Sequence, residues 1–561
     1  MLAVENRLRI LRNFIELALK LSIIPYALYI SPQWPLAQMP GPLSTIFGTL
    51  FILIGLYGMM SSDLLIIRFG DGKLHFSTKN TRLVDVGLYA RTRHPFIWFF
   101  SIYQYGVLLV FFGFSWLILG LSICISLIYL LWLLLIQEFF LSRSLGDSYL
   151  QYKKNTPLWY WKIKLEDNLK VGFRSQLVWL IGMLVIRFWY NIKIEGSENI
   201  PHNRPFLIVS NHESYLDPFL FGIFVPYEIK FVTTADIFTT PLMRFLLKGT
   251  GSFPMRRHRQ DLKSIRTMIR MIAKGQVVCI FPEGGRTIDG SPLPILKETL
   301  KLIQHCRVPI LPVHLDGAYE IWPRWAHNRR RGKVTTSFKP VIPLEDQDNL
   351  VALETRIKTE IFANDKTFRK VKSHAIAHGT EHLLWACYKC HTRDSIEVTS
   401  GHKIRCQNCG TEWQVGNNYS FTPRGESDSL TSIQWIKQIA NDILEYPLEL
   451  DPPFALEPDE KVHLQSPIVK YDNEEEVLEG NDLSLILSSE RMVLSNKQTL
   501  IQSWSLANVT IFTMDYFNAV SIGVGGVRHS FKLPADEITL KWQTYFDTLK
   551  AKFEKSSSNT D

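Results

Sequence analysis

The chain has 561 residues, 46% of them hydrophobic, and carries a formal net charge of +9. This length exceeds what one hydrophobic core supports, which excludes a single-domain protein, and a mean hydropathy near zero indicates both lipid-embedded and soluble parts. The basic residues suit a surface that faces anionic lipid or an acidic acyl carrier. They do not form the aromatic-laced stripe typical of nucleic-acid binding, so no nucleic-acid partner is predicted.

Residues 1–165 are predicted to form an all-α membrane domain that crosses the bilayer four times. Apolar stretches near spanning length lie at Phe14–Ile30 and Leu43–Met60, and Phe96–Phe140 is long enough to cross twice with a reversal around Gly113. Basic residues precede the first stretch, and the loop after it carries no charge. The positive-inside rule therefore predicts that both ends of this domain, and the soluble domains after it, are cytoplasmic. The expected location is a bacterial inner membrane.

Two polar segments at the edges of the predicted spans form a paired motif. Gly87–Pro95 reads GLYARTRHP, and Gln137–Pro157 reads QEFFLSRSLGDSYLQYKKNTP. The pair resembles the isoprenylcysteine carboxyl methyltransferase and phospholipid methyltransferase superfamily, which implies that Arg93, His94 and Glu138 bind S-adenosylmethionine. The Tyr-x-Gly that follows the Arg-His-Pro motif in that superfamily is absent here. The alternative is a retained fold that serves as an anchor or lipid site without methyl transfer.

Residues 166–365 are predicted to form an α/β domain that begins with an apolar helix. Leu177–Tyr190 is too short to span, so it is expected to lie in the membrane interface or to cover the soluble core. Strand-like and helix-like runs then alternate, which indicates a layered α/β fold. The predicted strands are Ile229–Thr233, Val277–Phe281 and Val308–His314, and the predicted helices are Pro241–Lys248, Asp261–Lys274 and Lys297–His305.

Pro205–Asp217, which reads PFLIVSNHESYLD, predicts a buried strand that ends in a loop carrying His212 and Asp217. Histidine takes up and returns protons near neutral pH, and a carboxylate fixes its tautomer, so this pair suits general-base catalysis. The chain has 15 histidines, and roughly one His-x4-Asp pair is expected by chance. The pair alone therefore indicates little.

Three later segments strengthen this interpretation because they follow in order. Gly251–Arg257 reads GSFPMRR, Phe281–Thr287 reads FPEGGRT and Val308–Val313 reads VPILPV. Together with NHESYLD they resemble the four motifs of the glycerolipid acyltransferase family, whose members acylate glycerol-3-phosphate and 1-acylglycerol-3-phosphate. The resemblance extends over Ile194–Pro343.

The resemblance implies a role for each matching residue. His212 is the general base, Asp217 orients it, Arg256 and Arg286 hold the acceptor phosphate, and Glu283 with Gly284 belongs to the same substrate site. The chemistry agrees, because acyl transfer from a thioester to an alcohol needs a base and oxyanion donors, while a phosphate suits guanidinium groups. Gly285 replaces the Thr common in the family, and Pro254 interrupts the stretch before Arg256, which leaves the acceptor open. The expected donor is acyl-coenzyme A or an acyl carrier protein.

Four of the seven cysteines form two close pairs. Cys387-x2-Cys390 and Cys406-x2-Cys409 are separated by fifteen residues, 391–405, which is the spacing of a four-thiolate zinc ribbon. This pattern predicts a structural Zn²⁺ and a reducing compartment. The ribbon is assigned to residues 385–416, after a basic linker at residues 366–384.

The C-terminal part has a different pattern. Residues 417–450 are predicted to be a linker with one helix, Ser429–Leu444. In residues 451–555, short strand-like runs are followed by one helix, Ile538–Phe553. This order resembles a pleckstrin-homology or GRAM-like barrel, which implies a lipid headgroup or protein ligand. Residues 556–561 are predicted to be a disordered tail.

Two functions from different classes follow from the sequence. The first is an integral membrane enzyme that acylates a lysophospholipid or glycerol phosphate in phospholipid synthesis or remodelling, fused to a methyltransferase-like domain. The second is a non-catalytic membrane scaffold or lipid-binding protein built from degenerate enzyme domains. The intact His212, Asp217, Glu283 and Arg286 favour the enzyme.

Overall fold

The structure is a computed structural model, and it does not describe every residue of the chain. It describes residues 41–70, 83–114, 116–158, 173–234, 252–255, 262–362, 367–448, 452–473, 476–534 and 537–558, apart from 481 and 516–517, together with a few isolated positions. Three predicted features therefore lie outside the described residues: the first span at Phe14–Ile30, the helix Pro241–Lys248 and the side chain of Arg256.

The N-terminal part is helical. Its helices are α1 (Pro42–Phe69), α2 (Pro95–Phe112), α3 (Trp116–Trp132), α4 (Glu138–Leu145) and α5 (Asp147–Asn155), and a π-helical turn at Leu133–Gln137 joins α3 to α4. Among the described residues, three helices are long and apolar enough to cross a membrane: Pro42–Phe69, Pro95–Phe112 and Ser122–Leu145. The predicted reversal at Gly113 is present, because this glycine ends α2 with φ of 69°. Such backbone angles are accessible to glycine at little cost.

The central part is a seven-stranded sheet with helices on both faces. Its strands are β1 (Asn191–Glu195), β2 (Leu207–Ser210), β3 (Ile229–Thr234), β4 (Phe253–Met255), β5 (Val277–Ile280), β6 (Ile310–Asp316) and β7 (Lys333–Phe338). The order is β1-β7-β6-β2-β5-β3-β4, and neighbours are parallel except β6 with β7. The helices are α6 (Phe173–Trp189), α7 (Asp217–Gly222), α8 (Leu262–Ala273), α9 (Lys297–His305), α10 (Ala318–Ile321) and α11 (Leu350–Ile361).

The central strand β2 explains why the sheet needs cover on both faces. Its four residues are all buried, and Ile208 packs in one core while Leu207 and Val209 pack in the other. Parallel strands with helices on both sides have this continuous apolar sequence. The buried side of α6 belongs to the first core through Trp179 and Ile186, so this helix covers the soluble core, which is one of the two positions expected for it.

The C-terminal part contains three further sheets. Strands β8 (Ile396–Ser400), β9 (Lys403–Cys406), β10 (Glu412–Val415), β11 (Ser420–Pro423) and β12 (Leu430–Thr431) form one antiparallel sheet, followed by α12 (Ser432–Asp442). A four-stranded and a five-stranded sheet follow, and α13 (Thr539–Ser558) ends the described chain. The strands of these two sheets are β13 (Val462–Pro467), β14 (Lys470–Asp472), β15 (Val477–Glu479), β16 (Ser484–Ser488), β17 (Arg491–Ser495), β18 (Leu500–Ser505), β19 (Val509–Asp515), β20 (Ala519–Val524) and β21 (Val527–Lys532).

Two segments differ from the sequence-based expectation of linkers. Residues 367–384 contribute buried side chains, among them Phe368, Ile376 and Leu384, to one core that also contains Tyr319 and Tyr419. Strands β11 and β12 extend the sheet of the predicted ribbon beyond residue 416. Residues 367–384 lack the regular hydrophobic period of a helix or strand, and β11 and β12 are too short to show one, so tertiary packing rather than local pattern orders them. Helix α13 also runs three residues into the predicted tail.

Candidate active site

His212 and Asp217 meet in the loop between β2 and α7. His212 Nδ1 lies 2.7 Å from Asp217 Oδ2, and the same oxygen accepts the backbone N–H groups of Glu213 at 2.7 Å and Ser214 at 2.9 Å. Asp217 is fully buried at the first position of α7. Because an ionised carboxylate only accepts hydrogen bonds, Nδ1 carries the proton in this contact and Nε2 of the neutral ring is left as a base.

The imidazole plane is held by an aromatic neighbour. The rings of His212 and Phe281 are stacked, with centroids 4.0 Å apart and an interplanar angle of 18°. The His212 side chain is 21% exposed, whereas Asp217 is 0% exposed. One side of the histidine is thus reachable by substrate while its partner is sealed from water.

Glu283 holds the backbone of the same loop. Its Oε1 accepts the N–H of His212 at 2.7 Å, and its Oε2 accepts the N–H of Leu293 at 2.8 Å. Burial raises the pKa of Glu283 to about 8 against the opposing effect of these two bonds. Gly284 follows with φ of 67°, and a Cβ there would lie 2.6 Å from the Leu296 side chain. Glu283 therefore ties two loops of the site together, a contact that sequence reasoning did not anticipate.

Arg286 lies beside the same loop. Its guanidinium carbon is 3.3 Å from the centroid of the Tyr215 ring, and the residue is only 4% exposed. The next residue, Thr287, donates its backbone N–H to the carbonyl of His212 at 3.0 Å. The structure thus brings together His212, Asp217, Glu283, Gly284 and Arg286, all five of the described residues that the sequence assigned to this site.

A cavity of about 160 Å³ opens beside the His212 loop. It includes residues that the sequence analysis missed: Glu213, His314, Asp316 and Thr367. His314 and Asp316 alternate along β6 with the buried Val313 and Leu315. This two-residue period at the end of a motif strand was the available signal, because alternate residues of a strand face the same side.

The residues predicted to bind S-adenosylmethionine also converge. Glu138 Oε1 lies 2.8 Å from Arg93 Nη1 and 3.1 Å from His94 Nε2, and its Oε2 lies 2.7 Å from Lys153 Nζ. The π-helical turn immediately precedes Glu138, and such turns frequently mark functional positions. Lys153 lies in the second polar segment of the paired motif, Gln137–Pro157. The cluster joins one carboxylate to two permanent cations and an imidazole.

The four cysteines of the predicted ribbon form one cluster. All four sulfur atoms of Cys387, Cys390, Cys406 and Cys409 lie within 4.8 Å of one another. Cys387 Sγ is 3.8 Å from Cys409 Sγ, and Cys390 Sγ is 3.7 Å from Cys406 Sγ. Trp413 on β10 packs against Trp435 on α12. Both side chains are fully buried, and their ring centroids are 4.9 Å apart.

Comparison with known proteins finds similarity in the central part of the chain. Residues 191–316 match the model of the acyltransferase family. A chloroplastic 1-acyl-sn-glycerol-3-phosphate acyltransferase of Brassica napus is 29% identical over 164 residues, which is 29% of this chain and 47% of that protein. The corresponding enzyme of Bacillus subtilis is 28% identical over 127 residues, 22% of this chain and 63% of its own length. The chain thus spans less than two thirds of either relative.

Two further comparisons give matches of lower identity. A human 1-acyl-sn-glycerol-3-phosphate acyltransferase, the alpha form, is 24% identical over 208 residues, 34% of this chain and 69% of that protein. The crystal structure of the 1-acyl-sn-glycerophosphate acyltransferase PlsC from Thermotoga maritima aligns with 43% of this chain and 92% of its own, at 21% identity and a TM-score of 0.30.

The contact between Glu283 and two backbone N–H groups generates a prediction. In Glu283→Gln the amide nitrogen must face either the His212 or the Leu293 N–H, which leaves a buried donor without an acceptor. Such a loss costs about 1–3 kcal/mol, so the variant should unfold at a lower temperature. Thermal unfolding of purified protein, with the exposed Glu298→Gln as control, measures this. Equal midpoints for both variants and the wild type would contradict the assignment.

Proposed function

We propose that this protein is an integral membrane O-acyltransferase that transfers a fatty acyl group from a thioester to a hydroxyl of a lysophospholipid or glycerol phosphate. The observation that supports this most is the 2.7 Å contact between His212 Nδ1 and Asp217 Oδ2 inside the segment that matches the acyltransferase family. The expected donor is acyl-coenzyme A or an acyl carrier protein, since both carry the acyl group as a thioester.

His212 acts as the base in the proposed reaction. Its Nε2 takes the proton of the acceptor hydroxyl while the hydroxyl oxygen attacks the thioester carbonyl, and Asp217 stabilises the resulting imidazolium. Collapse of the tetrahedral intermediate breaks the carbon–sulfur bond. The thiolate leaves and takes up the proton from the imidazolium, so the base is restored. Arg286, and Arg256 from outside the described residues, bind the acceptor phosphate.

The apolar helices support a site at the membrane surface. The buried side of α6 packs on the sheet, whereas Leu177, Ile181 and Leu184 on the same helix are 36%, 49% and 58% exposed. An exposed apolar stripe of this kind suits a helix that rests in the bilayer interface. A lysolipid therefore reaches His212 from the membrane, and we propose that the soluble part is cytoplasmic.

The Glu138 cluster supports a second proposal, an S-adenosylmethionine site in the membrane domain. The residues fit this ligand because Arg93 and Lys153 exceed the single charge of Glu138, which leaves positive charge for a carboxylate. Bound S-adenosylmethionine supplies a methyl group on a sulfonium. Arg93 and Lys153 hold the anionic end of the ligand, and Glu138 keeps both side chains in place. The alternative is that the cations of this cluster pair only with Glu138, and that the domain serves as an anchor.

The cysteine cluster supports a third proposal, one structural Zn²⁺. A tetrahedral site with Zn–S bonds of about 2.3 Å has sulfur–sulfur edges of about 3.8 Å. The separations of 3.8 Å and 3.7 Å fit such a site. Four thiolates close the coordination sphere, so the ion would hold the fold of the sheet around it.

The proposed base generates the central prediction. His212→Ala should lower kcat for acyl transfer by roughly 10²-fold or more with little change in the acceptor KM, because a general base acts in the transition state. Arg286→Ala should instead mainly raise the KM for a phosphate-bearing acceptor. Steady-state assays with the exposed His305→Ala as control separate the two effects. Wild-type activity in His212→Ala would disprove the assignment of the base.

Metal analysis tests the zinc proposal. Purified protein should contain about one zinc per chain, and Cys406→Ser should reduce this content because three thiolates bind the ion less tightly. Cys124→Ser, which changes an exposed cysteine outside the cluster, should retain it. Full zinc content in Cys406→Ser, or far less than one zinc in the wild type, speaks against the site.

Titration calorimetry tests the S-adenosylmethionine proposal. The wild type should bind S-adenosylmethionine, and Arg93→Ala should weaken binding by about tenfold or more through loss of a charge-assisted contact. The exposed Arg143→Ala should bind as the wild type does. Absence of binding to the wild type would leave the anchor role for this domain.

A further inference from the structure

The cavity beside His212 differs in chemistry from a phosphate site. Its lining includes Glu213, Glu283, His314 and Asp316, and none of the described residues that line it is a lysine or arginine. A phosphate monoester needs several strong donors around its oxygens. This cavity is instead lined by carboxyl groups and two imidazoles.

His314 presents a hydrogen-bond acceptor to the cavity. Its Nδ1 lies 2.7 Å from the carbonyl oxygen of Ile361. A carbonyl can only accept, so Nδ1 carries the hydrogen, and Nε2 of the neutral ring is an acceptor. No partner of Nε2 is recorded among the described residues.

The other polar groups point to the same preference. Asp316 uses Oδ2 in an ion pair with Arg369, and no bond of its Oδ1 is recorded within the described chain. The Ser291 hydroxyl donates to Asp289 Oδ2 at 3.1 Å, so its remaining capacity is to accept.

The side-chain amide of Asn211, which also lines the cavity, is bound to the backbone of β6. Asn211 donates to the Leu315 carbonyl and accepts the Leu315 N–H, both at 2.8 Å. Among the described residues, acceptor atoms of His314, Asp316 and Ser291 therefore remain for a ligand.

We propose that the acceptor is a lysophospholipid whose headgroup extends beyond the phosphate and donates hydrogen bonds into this cavity, as an amine or a polyol does. The inference rests on the proposed acyl transfer at His212. The phosphate binds near Arg286, outside the cavity lining, and the headgroup enters the cavity. A cavity of about 160 Å³ suits a group of about six heavy atoms, because an engineered cavity of similar size holds benzene. Ethanolamine and glycerol headgroups fall within this limit.

A comparison of three acceptors tests the substrate class. Purified full-length protein is given oleoyl-coenzyme A and oleoyl-acyl carrier protein together, at slightly alkaline pH, with one of three acceptors. These are 1-oleoyl lysophosphatidic acid, 1-oleoyl lysophosphatidylethanolamine and 1-oleoyl lysophosphatidylglycerol. We expect kcat/KM to be about tenfold or more higher for the amine or the polyol than for lysophosphatidic acid, and the two arms distinguish amine from polyol.

Two variants of His314 test whether the cavity determines the preference for headgroup-bearing acceptors. His314→Asn keeps a donor for the Ile361 carbonyl but removes the acceptor in the cavity, so the ratio of headgroup-bearing acceptor to lysophosphatidic acid should fall about tenfold. His314→Gln places an acceptor near the former Nε2 and should retain part of the ratio. His305→Asn, on the exposed side of α9, should keep the wild-type ratio.

The outcomes separate this inference from the proposed function. A wild type that acylates lysophosphatidic acid as fast as, or faster than, both other acceptors overturns the inference and leaves acyl transfer standing. A wild type that acylates none of the three overturns the proposed function and the inference with it. An unchanged ratio in His314→Asn, with the protein folded, shows that the cavity does not set the preference.

Discussion

The buried carboxylate of Asp217 is the interaction on which the site depends. One oxygen accepts three N–H groups, from the His212 ring and from the backbones of Glu213 and Ser214. Burying an ionised carboxylate is costly unless hydrogen bonds replace its hydration, and its position at the start of α7 adds the favourable end of a helix dipole. Asp217 Oδ2 therefore fixes the conformation of the loop between β2 and α7. Glu283 fixes the same loop from outside, so the imidazole is oriented before any substrate arrives.

The residues of the site that lie in short sequence motifs are predictable from the sequence. His212, Asp217, Glu283, Gly284 and Arg286 were all assigned, because each lies in a short segment whose chemistry is readable without the fold. The strands that carry them were also predicted within a few residues, since buried parallel strands are short continuous apolar runs. The clustering of the four cysteines was predicted from their spacing alone.

The remaining features depend on tertiary contacts that no local pattern contains. His314 joins the cavity because the end of α11 supplies the Ile361 carbonyl that orients its ring. Glu283 was assigned to substrate, yet both its oxygens hold backbone groups from segments distant in sequence. The prediction of a linker at residues 366–384 is wrong for the same reason. The isolated apolar residues of this segment are buried only because they pack in one core with Tyr319 and Tyr419.

The aromatic core shared by the central and C-terminal parts limits how this protein is divided. Tyr419 donates to the Glu320 carbonyl at 2.7 Å, and its ring packs edge-on against Tyr319 and Trp325. A fragment ending near residue 365 would lack Tyr419 and would expose the rings of Tyr319 and Trp325 to water, which favours aggregation. The cysteine-bearing sheet thus shares a core with the central part of the chain, and truncation at an apparent domain boundary would remove part of this core. A fusion of either part with another domain would have to preserve this shared aromatic core.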